Sequence, residues 1–201
     1  MVFANLENTK KEIDGVEKLL AANKVGNIIK LSDVNASTEA FLSLNDSKVN
    51  ILHLATHGAY NKNATSKDAN DAMRRSLLAF AGANLGEGCG IITAADIAKM
   101  NLRHCNLAVL SACETALGQM GADGVFGLQR GFKNAGVHTL LMSLRNVNDK
   151  ATMEMMVQFY RSLMAGQTPN QALRSAQQYL RKNGYDNPEY WASFIVLDGL
   201  K

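Results

Sequence analysis

Two short apolar runs constrain this chain most tightly, because each ends on a side chain that can do chemistry. Val49, Ile51, Leu52, Leu54 and Ala55 lead into Thr56-His57-Gly58. Leu107, Ala108, Val109 and Leu110 lead into Ser111-Ala112-Cys113-Glu114. Apolar runs of this length bounded by polar residues read as buried strands. In open parallel sheets the crevice for ligands lies outside the carboxyl ends of the strands. Neighbouring, parallel strands would therefore deliver an imidazole and a thiol to one rim, the pairing a cysteine nucleophile and its acid–base partner need.

The rest of the chain supplies helices between such runs. Ile13, Val16, Leu19 and Leu20 recur at helical spacing within 10–22, and 26–31 (GNIIKL) reads as a strand. A short helix follows over about 35–44, with Ala40, Phe41 and Leu44 on one face. Residues 59–75 are polar and read as a loop, of a length usually reserved for function. Apolar stretches 76–83 and 90–93, with glycines between them, predict a hairpin, and Thr93 is suited to cap a helix over 94–100. Asp123 is suited to cap a helix ending near Asn134, with Gly136 as its stop. A strand is expected over 137–144, then a helix opened by Asn148 or Asp149 with Met153, Met156, Val157, Tyr160 and Leu163 on one face. Thr168-Pro169 starts the next helix in cap-then-proline order, with Ala172, Leu173, Ala176 and Leu180 inward. The last strand is expected over 193–197.

Strands alternating with helices predict an α/β fold, a three-layer sandwich around a mostly parallel central sheet. No linker or internal repeat divides the sequence, which reads as one domain over 1–201. A charged helix with no strand before it is an unusual opening for such a sheet. It suggests that one strand or more precedes this sequence in a longer parent.

Composition excludes several classes. A net charge of +3, carried by dispersed pairs such as Lys10-Lys11 and Arg74-Arg75, argues against direct nucleic-acid binding. No apolar stretch approaches the ~20 residues of a membrane span. Three cysteines, Cys89, Cys105 and Cys113, at irregular spacing do not form a disulfide framework, so a reducing, intracellular setting is expected. No spacing of ligand residues suggests a metal. The glycines of 86–90 lack the strand-then-helix context of a nucleotide loop, so no cofactor is expected.

His57 and Cys113 are the catalytic candidates, with the backbone N–H groups of Gly58 and Cys113 as candidate donors to an oxyanion. Each has a structural alternative, a histidine closing a strand and a cysteine packed as a small apolar residue. His53, within the first run, reads as a core or second-face residue. Caspase-type proteases place the histidine about 50 residues before an Ala-Cys pair, and papain-type enzymes have the reverse order. Here the histidine comes first.

The segments LHLATHG (52–58), LSACETALG (110–118), GVFGL (124–128), ITAADI (92–97) and YWASFIVLDG (190–199) resemble the CHAT domain, a branch of the caspase-like cysteine peptidases that includes separase. The resemblance covers nearly the whole chain. It implies a caspase-like fold, with His57 as acid–base and Cys113 as nucleophile of an endopeptidase acting on a protein or peptide substrate. It also implies a parent protein with further N-terminal sequence, often tetratricopeptide repeats; the cysteine usage and apolar stretches noted above lead to the expectation of a cytoplasmic setting without a membrane. CHAT sequences usually carry Ser-Leu-Trp-Pro-Val-Asp-Asp where this chain has Ser143-Leu144-Arg145-Asn146-Val147-Asn148-Asp149. That segment leaves a strand at the rim of Cys113, so Arg145 is a candidate for shaping the specificity pocket. Relatives often read a basic residue before the cut with a carboxylate, which makes Asp149 and Asp123 candidates; both are equally suited to be helix caps. The altered segment also keeps a second reading open, a caspase-like interaction or regulatory module without turnover.

Overall fold

A computed structural model describes residues 2–4, 6–61, 71–86, 88–111, 122–144 and 147–198, with the side chains of 71 and 122–126 outside that set. Its centre is a four-stranded sheet of β1 (Ile51–Leu54), β5 (Leu107–Leu110), β6 (Thr139–Ser143) and β7 (Phe194–Leu197), in that order. β1 pairs parallel with β5 and β5 parallel with β6, while β7 closes the sheet antiparallel to β6. A second, antiparallel sheet is formed by β2 (Gly58–Tyr60), β3 (Ser76–Ala79) and β4 (Ile91–Thr93).

The period of two along the central strands divides the core into two layers. Ala108, Leu110, Leu140 and Met142 face Phe41 of α2 (Thr38–Leu42), Ile97 of α4 (Ala94–Ile97), and Leu128 and Phe132 of α5 (Ala122–Asn134). Leu107, Val109 and Leu141 face Val16 of α1 (Glu7–Ala22), Met155, Met156 and Phe159 of α6 (Asp149–Met164), and Leu173 and Ala176 of α7 (Pro169–Lys182). Helices on both sides of a mostly parallel sheet make the expected three-layer α/β arrangement. Among the described residues, no helix is long and apolar enough to cross a membrane.

Local chemistry explains the helix boundaries. Thr168 and Gln171 form a reciprocal capping box at α7, with Pro169 in its first turn, and Thr93 and Asp96 form another at α4. Asn148 caps α6 by accepting from the Ala151 N–H. Gly136, at φ +96°, follows α5 in a left-handed conformation that glycine adopts without strain.

Three expectations are corrected. Residues 26–31 form no strand: Ile29 is 75% exposed, and Lys30 instead reaches Asp14 and Glu17 on α1. An apolar run that finds no sheet edge has no partner for its backbone. The span 59–75 is not all loop, since β2 occupies its start and α3 (Asp71–Arg75) its end; 62–70 lie outside the described residues. Asp123 is the second residue of α5 rather than the residue before it. The small face of α5 packs away from the central sheet. A Cβ on Gly127 would collide with Ser76 Oγ and the Ala72 carbonyl oxygen, and one on Gly131 would lie 2.5 Å from the Ala94 carbonyl oxygen.

Backbone cannot yield to that last contact cheaply, so Gly131→Ala is predicted to destabilise the protein by about 1–3 kcal/mol. Gly26, where an added Cβ would meet open space, serves as the control; Gly26→Ala is expected within about 0.5 kcal/mol of the parent. Urea unfolding midpoints compare the two.

Candidate active site

The parallel pair β1–β5 defines the rim. Its register runs from Ile51↔Leu107 to Leu54↔Leu110 and is extended by Ser111, whose N–H donates to the Leu54 carbonyl at 2.9 Å. Both strands therefore exit the sheet at the same edge. Along the sequence, His57 comes three residues after Leu54 and Cys113 three residues after Leu110. Cys113 lies outside the described residues, as do its neighbours over 112–121 and the pair Arg145-Asn146.

His57 is buried, at 6% exposure. Its Nε2 is 2.6 Å from the Ala4 carbonyl oxygen. A carbonyl only accepts, so Nε2 carries the proton, and Nδ1 is the basic nitrogen of the neutral ring. The Phe3 ring lies against the imidazole, with centroids 5.4 Å apart and an interplanar angle of 40°. On the backbone side, the Ala79 N–H donates to the His57 carbonyl at 2.9 Å, and the Thr56 hydroxyl donates to the Ala79 carbonyl.

That backbone bond sets the phase of the β2–β3 ladder. Bonded and non-bonded residue pairs alternate along an antiparallel ladder. His57 and Ala79 are a bonded pair, so Gly58 and Leu78 are a non-bonded one. The Gly58 N–H consequently points away from β3. β2 is an outer strand of its sheet, so that N–H faces outward at the edge beside His57.

The chain between Phe3 and Asn8 links His57 to the start of α6. Asp149 Oδ2 accepts from the Asn8 N–H at 3.0 Å and from Asn8 Nδ2 at 2.8 Å. Asp149 thus serves the first turn of α1, whose preceding residue, Leu6, supplies no side-chain cap. The cap of α6 is Asn148, not Asp149. The carboxylate of Asp123 belongs to the side chains outside the described set.

A buried polar line on the other face of β1 escaped the sequence reading. His53, expected as a core or second-face residue, has Nε2 2.8 Å from Glu12 Oε1 and Nδ1 3.1 Å from the Tyr160 hydroxyl. Glu12 is only 2% exposed. With Nε2–H donating to the carboxylate, the Tyr160 O–H donates to Nδ1. Burial, reinforced by the negative charge of Glu12, pushes the Tyr160 hydroxyl far above its ordinary range, which keeps its proton in place. The available signal was Glu12 four residues before Val16, an acid on the buried stripe of α1. Glu12→Ala is predicted to cost about 1–3 kcal/mol by leaving a buried imidazole N–H unpaired. Glu12→Gln, which keeps an acceptor oxygen, should cost less than half of that in the same urea titrations.

The remaining thiols are distinct. Cys89 is exposed. Cys105 is buried, and burial pushes its thiol up to about 11, so at neutral pH it stays protonated and unreactive. Residues 86–90 lie between strands β3 and β4, which is not the setting of a nucleotide loop. Among the described residues, no group of three or more His, Cys, Asp or Glu side chains could hold a metal ion.

Two parallel strands ending at one rim beside a flanking antiparallel sheet, with helices on both faces, form an arrangement found in a solved structure. The crystal structure of the Arg-specific cysteine proteinase gingipain R shares this fold, with a TM-score of 0.59 over 94% of this chain and 41% of that one, at 12% identity. The family model of the CHAT domain matches residues 1–199, and the chain belongs to the CHAT-domain family. Tetratricopeptide repeat protein 28 of Mus musculus and of Homo sapiens are both similar, at 32% identity over 108 residues. That match spans 53% of this chain and only 4% of either relative's length.

Proposed function

We propose that the protein is a cysteine endopeptidase whose dyad is His57 and Cys113. The observation that carries this reading is the in-register parallel pairing of β1 with β5, in a chain of the CHAT family, beside a histidine whose Nε2 is already committed to Ala4. Nδ1 of His57 takes the proton from Cys113 Sγ, and the thiolate attacks a substrate carbonyl. The N–H groups of Gly58 and Cys113 hold the resulting oxyanion. The outward direction of the Gly58 N–H supports that role. The imidazolium, stabilised through Nε2–H by the Ala4 carbonyl, then protonates the leaving amine. Water attacks the thioester and frees the second product.

The substrate is another protein, bound extended along the rim. Asp149, Asp123 and Arg145 are the proposed specificity residues. Oδ2 of Asp149 accepts from Asn8, and Oδ1 is the oxygen proposed to meet a basic side chain before the scissile bond. The likeness to tetratricopeptide repeat proteins supports a parent chain in which such repeats recruit substrate or regulate the site. The free thiols of Cys89 and Cys105 are in keeping with a cytoplasmic setting.

Arg145-Asn146, in place of the family's usual Trp-Pro, favours the second reading, a non-cleaving regulatory module. A peptidyl ketone warhead separates the two. The peptidase is expected to be labelled at Cys113, with labelling lost in His57→Ala and cleavage lost in Cys113→Ala. Labelling at Cys89 or Cys105 alone would support the module. In a peptide-library assay, Asp149→Asn should lower the preference for a basic residue before the cut by more than about tenfold.

A further inference from the structure

We propose that Asn84, in the turn between β3 and β4, is a positioning residue for His57, acting through the backbone of Phe3 and Ala4. The proposal rests on the reading of His57 as the base of the dyad. Asn84 Oδ1 accepts from the Phe3 N–H at 2.9 Å, and Asn84 Nδ2 donates to the Phe3 carbonyl at 2.9 Å. One side-chain amide therefore satisfies both main-chain groups of a residue 81 positions away, as a neighbouring strand would. The next carbonyl along the chain is that of Ala4, the acceptor on His57 Nε2.

Residues 2–4 have no regular secondary structure of their own. Among the described residues, Asn84 supplies the backbone hydrogen bonds that hold Phe3. Held there, Phe3 lies against one side of the imidazole and Ala4 fixes its Nε2 edge. With Ala4 held in place by its neighbour Phe3, the ring cannot flip its nitrogens without losing the bond from Nε2 to Ala4. Asn84 touches no reacting atom. Its effect is to keep Nδ1 as the nitrogen presented for proton transfer, the kind of orientation whose loss costs a proton-transfer site heavily.

The test uses Asn84→Ala and the near-isosteric Asn84→Asp, which keeps an acceptor for the Phe3 N–H but loses the donor to its carbonyl. Two readouts are taken on the whole protein. In protein labelled with ¹⁵N-histidine, the hydrogen-bonded Nε2–H of His57 is followed as a slowly exchanging proton resonance. Alkylation by iodoacetamide is timed separately at Cys113 and at Cys89, which lies in the same turn as Asn84 and reports whether that turn is intact. Asn84→Ala is expected to abolish the Nε2–H resonance and slow Cys113 on the order of tenfold, with the Cys89 rate unchanged. Asn84→Asp is expected to shift both His57 and Cys113 readouts in the same direction by less. An unchanged resonance and Cys113 rate in both variants would overturn the proposal. If His57→Ala itself leaves the Cys113 rate unchanged, the peptidase reading falls instead, and the resonance alone decides whether Asn84 holds the ring.

Discussion

The parallel ladder between β1 and β5 is the constraint on which the rest depends. Backbone bonds in a parallel pair run in one register, so the two strands end together rather than at opposite edges. Leu54 and Leu110 are partners, and Ser111 continues the pairing by donating to the Leu54 carbonyl. The apolar side chains of β5 that alternate between Leu107 and Val109 on one face and Ala108 and Leu110 on the other require both helical layers. Slippage by one residue would exchange those faces and break both cores. The rim where the proposed chemistry would take place is thus held by the same packing that stabilises the sandwich.

The second sheet and the N-terminal strap turn that rim into a shaped edge. β2 starts immediately after His57 and is phased by the Ala79–His57 bond, which turns the Gly58 N–H outward. The strap reaches from Asn84 past His57 to Asn8 and Asp149, joining the turn of the small sheet to the first turns of α1 and α6. Beneath it, Glu12, His53 and Tyr160 tie α1 to β1 and α6 inside an otherwise apolar layer. His53 within β1 is therefore committed to the packed layer, while His57, beyond the end of the strand, is held by Ala4.

Much of this was legible in the residues. Unbroken apolar runs marked β1, β5, β6 and β7, since strands buried on both faces leave no room for alternation. Caps were readable because Thr93, Asn148 and Thr168 act within three residues of themselves. What escaped depends on contacts distant in sequence. Residues 26–31 have strand composition, yet nothing local says whether a sheet edge waits for them. β2 is three residues long and is fixed by β3, not by its own pattern. Glu12 escaped because its partner, His53, is 41 positions away. The links from Asn84 to Phe3 and from Asp149 to Asn8 escaped for the same reason: the partners lie 81 and 141 positions apart. The resemblance to the CHAT family, carried by LHLATHG and LSACETALG, is what points to His57 and Cys113 as the proposed dyad, which periodicity alone leaves open.

The central claim is that an imidazole and a thiolate share one rim because two parallel strands end side by side. Treatment with 1,3-dibromoacetone tests it most directly, since its short three-carbon bridge can join two nucleophiles only when they are neighbours. Peptide mapping by mass spectrometry is expected to find the Cys113 sulfur joined to the His57 ring. Alkylation of Cys113 without any bridge to His57, or a bridge from Cys113 to another side chain, would contradict it.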